Sequence, residues 1–227
     1  MKFSDKLYAA VTGLWREAAE KPFVREMAAG TLEEARFRNY MIQDYRYLID
    51  YMEILRLIRA QTEDAGLREF LQRVIDETEN ETYRVHLPHM KSMGVREEEI
   101  AAAVPSPAFS EYTEYMRQQV RDHGFLAGIT ALLQCSWLYA FIGEKMAAEC
   151  PDTIRRSPYR FWFDAYTCED YTEANRMWID TVDRETGNIS SDTESMLMEI
   201  FTSCAEHENR LWDELYDGPG PFLPETS

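Results

Sequence analysis

Apolar residues recur along most of the chain at steps of three and four, and no stretch of useful length alternates apolar with polar. The pattern therefore predicts helices and no sheet, an all-α fold built as one multi-helix bundle. The first helix is expected over residues 5 to 19, with Ser4 as cap and Leu7, Ala10, Val11 and Leu14 on one face. A short turn opened by Pro22 and closed by Gly30 follows. Thr31 and Glu34 have capping-box spacing and predict a long helix to about Thr62. Further helical patterns cover 66 to 94, 106 to 122, 125 to 143, 157 to 166 and 169 to 186, and a last one starts near Ser191 or Asp192. Residues 96 to 107 read as a connection, and the turn-rich tail, 218 to 227, as flexible.

Three of these helices break their own pattern. On the stripe Phe37, Met41, Asp44, Leu48, Tyr51, Leu55 and Ile58, Asp44 sets a carboxylate on a core-facing row. Such a group either has a buried protein partner or lines a pocket, and Tyr47 lies on the neighbouring row. The segment Phe125 to Gly143 has no formal charge and carries Cys135 among small residues, with Tyr139 one turn on. Cys135 either borders a cavity or is one more small buried residue. The last helix shows Leu197, Phe201, Cys204, Glu208, Leu211 and Leu215 on its inner row, so Glu208 is a second carboxylate in a core position. Arg210 and Asp213 lie off that row, and Trp212 is placed to exclude water.

One misfit is ordinary, whereas three suggest a shared pocket. A thiol with two acids forms a set for covalent catalysis with proton transfer. The tyrosines at 47, 112, 139 and 166 would supply flat walls and hydroxyls. A mid-helix cysteine near carboxylates is not expected to rest as a thiolate, so its proton would leave as substrate accepts charge. Cys204, one turn before Glu208, is the rival nucleophile.

Composition narrows the classes. Among 227 residues, 45% are hydrophobic and 13% aromatic, which excludes disorder and allows one sizeable core, read as a single domain over 1 to 217. The 24 basic against 41 acidic residues give a net charge of -17, which repels phosphate backbones, so no nucleic-acid partner is expected. The cysteines, at 135, 150, 168 and 204, show no CxxC spacing, and Asp5, Lys6 and Arg16 interrupt the amino terminus. A reducing cytoplasm follows as the expected setting. The uncharged segment is long enough for a membrane span, but Thr130, Gln134 and Ser136 and its unbiased flanks favour a core helix and no membrane partner. His86 and His89 lie one turn apart, with Pro88 between them, and no Glu-x-x-His spacing occurs. The histidine pair reads as helix-end hydrogen bonding, and no metal is expected.

Five segments in order resemble the thiaminase II family, also called TenA, of the cysteine-containing type. They are NYMIQDYRYLIDY (39–51), YTEYM (112–116), ALLQCSWLYAFIGEKM (131–146), YRFWFDAY (159–166) and HENRLWDELY (207–216). The resemblance implies a helical bundle like that of haem oxygenase, without haem or other cofactor, assembled as a homotetramer. It implies hydrolysis of a substituted aminopyrimidine, thiamin or the aminomethylpyrimidine formed from it, to hydroxymethylpyrimidine in thiamin salvage. By the same resemblance Cys135 adds to the pyrimidine ring and Glu208 hydrogen-bonds a ring nitrogen and manages the proton. Asp44 would hold the amino edge, Tyr47 and Tyr139 would flank the ring, and Tyr112 and Tyr166 would offer hydroxyls. Leu211 departs from the family's usual aromatic residue, which bears on substrate preference, and Glu206 competes with Glu208 for its assignment. The alternative from another class is a non-catalytic pyrimidine- or amine-binding protein; a third is an oxidoreductase on the same scaffold.

Overall fold

Every regular element among the described residues, 2–218 of the computed structural model, is a helix. The tail expected to be flexible lies, after Gly218, outside the described residues. The chain opens with α1 (Phe3–Glu20) and α2 (Pro22–Ala29). It continues through α3 (Glu34–Ala60), α4 (Ala65–Asn80), a π-helical turn (Glu81–His86), α5 (Leu87–Ser92), α6 (Glu97–Ala102) and α7 (Pro107–His123). It ends with α8 (Phe125–Glu149), α9 (Pro151–Arg156), α10 (Arg160–Thr167), α11 (Glu169–Glu185) and α12 (Ser191–Asp217). Two compact units result. One holds the chain up to Leu32 with Leu126–Tyr216, and the other is built on Glu33–Phe125.

In the first unit, α8 supplies the apolar centre. Ala127, Ile129, Ala131, Leu132, Leu133 and Ile142 have no exposed surface, as expected of a helix that is apolar on all sides. The helix is long and apolar enough to cross a membrane, yet 67% of that apolar window is buried within the protein. Trp15 of α1 packs against Trp137 and Phe141 of α8 and Phe201 of α12, with ring centroids 5.3, 5.5 and 6.1 Å away. Ser4 is not the cap that its position suggested. It lies inside α1, where its amide and its hydroxyl each donate at 2.8 Å to the Asp183 carboxylate on α11.

The expected capping box at Thr31 is also absent, for a backbone reason. Gly30 takes a left-handed conformation (φ 74°), and the amides of Thr31 and Leu32 then both donate to the Glu26 carbonyl, at 2.9 and 3.2 Å. The chain is still turning at Thr31, so α3 begins only at Glu34 and no side chain caps it.

In the second unit, α3 packs against α4 and α7. The loop before α7 is tied to α3 by Gln43, whose amide group donates to the Val104 carbonyl (3.1 Å) and accepts from the Ser106 amide (2.8 Å). Further along, the Thr113 hydroxyl donates to Asp50 at 3.0 Å, and Arg117 lies 3.3 Å from the same carboxylate. These links fix the register of α7 on α3, and with it Tyr112 against Tyr47.

Gly143 sets how closely α8 approaches α10. A methyl group there would sit 3.1 Å from Thr167 Cγ2 and 3.2 Å from Tyr166 Cβ. Gly143→Val is expected to destabilise the protein by about 1–3 kcal/mol through overpacking, and to displace Tyr166. Urea unfolding measures this; an unchanged midpoint would show slack at that contact.

Candidate active site

The first cluster belongs to the second unit. Asp44, midway along α3, is 5% exposed, and its Oδ2 lies 2.6 Å from Nε2 of His86. His86, 7% exposed, closes the π-helical turn. The helix-end reading of this histidine is thereby corrected: its partner is a side chain 42 residues away in sequence. Its outer neighbour is Glu81, whose Oε1 lies 4.0 Å from Nδ1.

Burial by itself would lower the pKa of His86. The hydrogen bond and charge of Asp44, with the charge of Glu81, outweigh burial and leave that pKa raised, favouring the imidazolium. Glu81 is also raised, chiefly by desolvation, with the charge of His86 opposing and the smaller effect of Asp44 adding to it. His89 shifts downward through desolvation and the neighbouring His86.

Tyr47, one turn from Asp44, is buried, and its ring stacks on that of Tyr112 from α7 at 6.0 Å and 26°. Tyr51 and Phe109 complete the group, 5.9 and 6.3 Å from Tyr47. Asp44, Tyr47 and Tyr112, singled out from the sequence, thus share one unit with His86, a partner that the sequence reading had assigned to helix-end hydrogen bonding.

The second cluster belongs to the first unit. Cys135 on α8 keeps part of its surface open, whereas its rival Cys204 on α12 has none. The residue after Cys135 is fixed from α11: the Tyr171 hydroxyl donates to the Ser136 carbonyl (3.0 Å), and the Ser136 hydroxyl donates to Asn175 Oδ1 (3.2 Å). One turn along α8, Tyr139 meets Tyr166 of α10 at 5.0 Å and Trp212 of α12 at 5.8 Å. Trp162, which was not singled out from the sequence, touches all three, at 5.8, 4.6 and 6.4 Å.

Glu208 is 1% exposed and sits one turn before Trp212. Glu206 is exposed, which removes it as a competitor for a buried role. The inner row read from the sequence, Leu197, Phe201, Cys204, Glu208, Leu211 and Leu215, is buried throughout. Arg210 lies on the open side of the helix and reaches His207 at 2.9 Å.

Chemically, the two clusters provide an acid braced by an imidazole, flat aromatic faces, a partly exposed thiol and a buried carboxyl. No group of three or more metal-ligating side chains occurs among the described residues.

The profile of the TENA/THI-4/PQQC family matches residues 8–218. An aminopyrimidine aminohydrolase of Halalkalibacterium halodurans is 30% identical over 217 residues, covering 96% of each chain. A crystal structure described as a TenA family transcription regulator, from a Silicibacter species, superposes with a TM-score of 0.87 at 24% identity, over 95% of this chain and 96% of that one. A domain from Shewanella denitrificans with a haem-oxygenase-like fold superposes with a TM-score of 0.73 at 15% identity, over 96% and 93% of the two chains. The all-helical, haem-oxygenase-like architecture expected from the sequence is borne out.

Proposed function

Because this chain belongs to the TENA/THI-4/PQQC family, we propose that it is an aminopyrimidine hydrolase of the thiaminase II type, acting in thiamin salvage. The observation that carries this reading is the likeness to an aminopyrimidine aminohydrolase along 96% of both chains. The substrate is the aminomethylpyrimidine or thiamin itself. In the first case water replaces the side-arm amine: the C–N bond at the methylene breaks, a C–O bond forms, and ammonia leaves with hydroxymethylpyrimidine as the other product.

In this reading Cys135 adds through sulfur to a ring carbon, and the electron pair that it brings lets the side-arm group depart. Glu208 holds a ring nitrogen and carries the proton to and from it. Water then adds at the methylene, and the sulfur leaves the ring. Asp44 binds the amino edge, Tyr47 and Tyr139 flank the ring, and Tyr112 and Tyr166 supply hydroxyls near the reacting carbon. The homotetramer implied by the resemblance and the cytoplasmic setting expected from the cysteine usage are part of the same proposal.

The test is to incubate the protein with aminomethylpyrimidine and measure both products. Ammonia and hydroxymethylpyrimidine are expected in equal amounts. Calorimetric binding of the pyrimidine without either product would favour the alternative, a binding protein.

A further inference from the structure

The π-helical turn Glu81–His86 interrupts an otherwise continuous helical run between Ala65 and Ser92, immediately beside Asp44. In an α-helix, residues five apart point about 140° away from one another. Widening the turn brings Glu81 and His86, which are five apart, to 4.0 Å. Such insertions are frequent at functional sites. Here the re-aimed side chain is the imidazole that meets Asp44 Oδ2.

We propose that His86 is a positioning residue for substrate binding, fixing Asp44 through Oδ2 so that Oδ1 faces the amino edge of the pyrimidine, with Glu81 orienting the imidazole from behind. The inference rests on the hydrolase reading above and adds two residues to it. A neutral carboxyl offers a donor as well as acceptors, whereas a carboxylate only accepts. With Oδ2 engaged by His86, Oδ1 is the acceptor that Asp44 presents, the partner that an exocyclic amino group requires. The titratable groups facing His86 are Asp44 from α3, Glu81 from its own turn and His89 from α5.

The experiment uses the full-length protein, with aminomethylpyrimidine for turnover and hydroxymethylpyrimidine for calorimetric binding. Turnover by the unmodified protein tests the hydrolase reading by itself; the variants then test this proposal. His86→Leu is expected to raise KM and the product Kd together by about 10- to 100-fold, the worth of one hydrogen bond to a charged group, with kcat within about fivefold. His86→Gln, whose amide nitrogen reaches the place of Nε2, is expected to recover most of the loss. Glu81→Gln removes a charge that holds the imidazolium. The alkaline limb of kcat/KM is therefore expected to move to lower pH.

Wild-type KM and Kd in His86→Leu would overturn the proposal. So would an equal loss of melting temperature and kcat in both His86 variants with binding unchanged, since that marks a role in folding. Should His86→Leu fail to fold, His86→Phe, which also lacks the hydrogen bond to Asp44, and Glu81→Gln decide: an unmoved alkaline limb in Glu81→Gln together with unaltered KM in His86→Phe refutes it.

Discussion

Cys135→Ala is expected to lower kcat for aminomethylpyrimidine hydrolysis by at least about 10³-fold, because no other group in the proposed reaction can donate an electron pair to the ring. The loss should fall on kcat, since the aromatic faces and Asp44, proposed to bind the ring, are unaltered by the substitution. Cys135 is only partly buried, so removing its sulfur should change stability by no more than about 1 kcal/mol. The matching substitution at Cys204 separates access from identity. That residue of α12 is fully buried and meets no solvent, so Cys204→Ala should keep turnover within a few-fold of the parent. Ammonia release by Cys135→Ala at more than a tenth of the parent rate would remove the sulfur from the mechanism. Loss of turnover only in Cys204→Ala would transfer the role to α12.

The long helices could be read from the sequence because burial enforces their period. The inner row of α12 is buried at each of the six positions named, and α3 runs within a few residues of its expected limits. On α3 one member of the expected row, Leu48, is only half-buried, while Tyr47 beside it is buried. The row drifts there because a straight helix advances by 3.6 residues per turn and the core follows that drift. The short helices α6 and α9 were not legible, since six residues hold too little of a period to be told from a turn.

Asp44 announced itself as a carboxylate in need of a partner, but nothing local identified His86. The contact depends on a π-turn, and an extra residue in a helical turn leaves no mark in the pattern of apolar positions. A narrower search was open: a buried acid needs a buried cation or donor, and the chain has only 4 histidines. The capping errors at Ser4 and Thr31 have a different origin. Both residue types fit a cap, and in both places long-range or backbone hydrogen bonds claimed the groups first.

Glu208 offers the second decisive substitution, because its environment separates shape from protonation. The carboxyl is held at 1% exposure on a row otherwise made of Leu197, Phe201, Cys204, Leu211 and Leu215. Glutamine has nearly the same volume and can still hydrogen-bond a ring nitrogen, but it cannot take up and return a proton. Glu208→Gln is therefore expected to lower kcat by about 10²–10⁴-fold, the usual worth of general acid–base catalysis, with a much smaller change in KM. Stability should stay within about 1 kcal/mol, since packing and hydrogen-bonding capacity are kept. Glu206→Gln, on the exposed side of the same helix, should leave kcat and KM unchanged. Should Glu208→Gln turn over at the parent rate, this carboxyl is not the proton carrier, and Tyr112→Phe and Tyr166→Phe become the variants that test the tyrosine hydroxyls in its place.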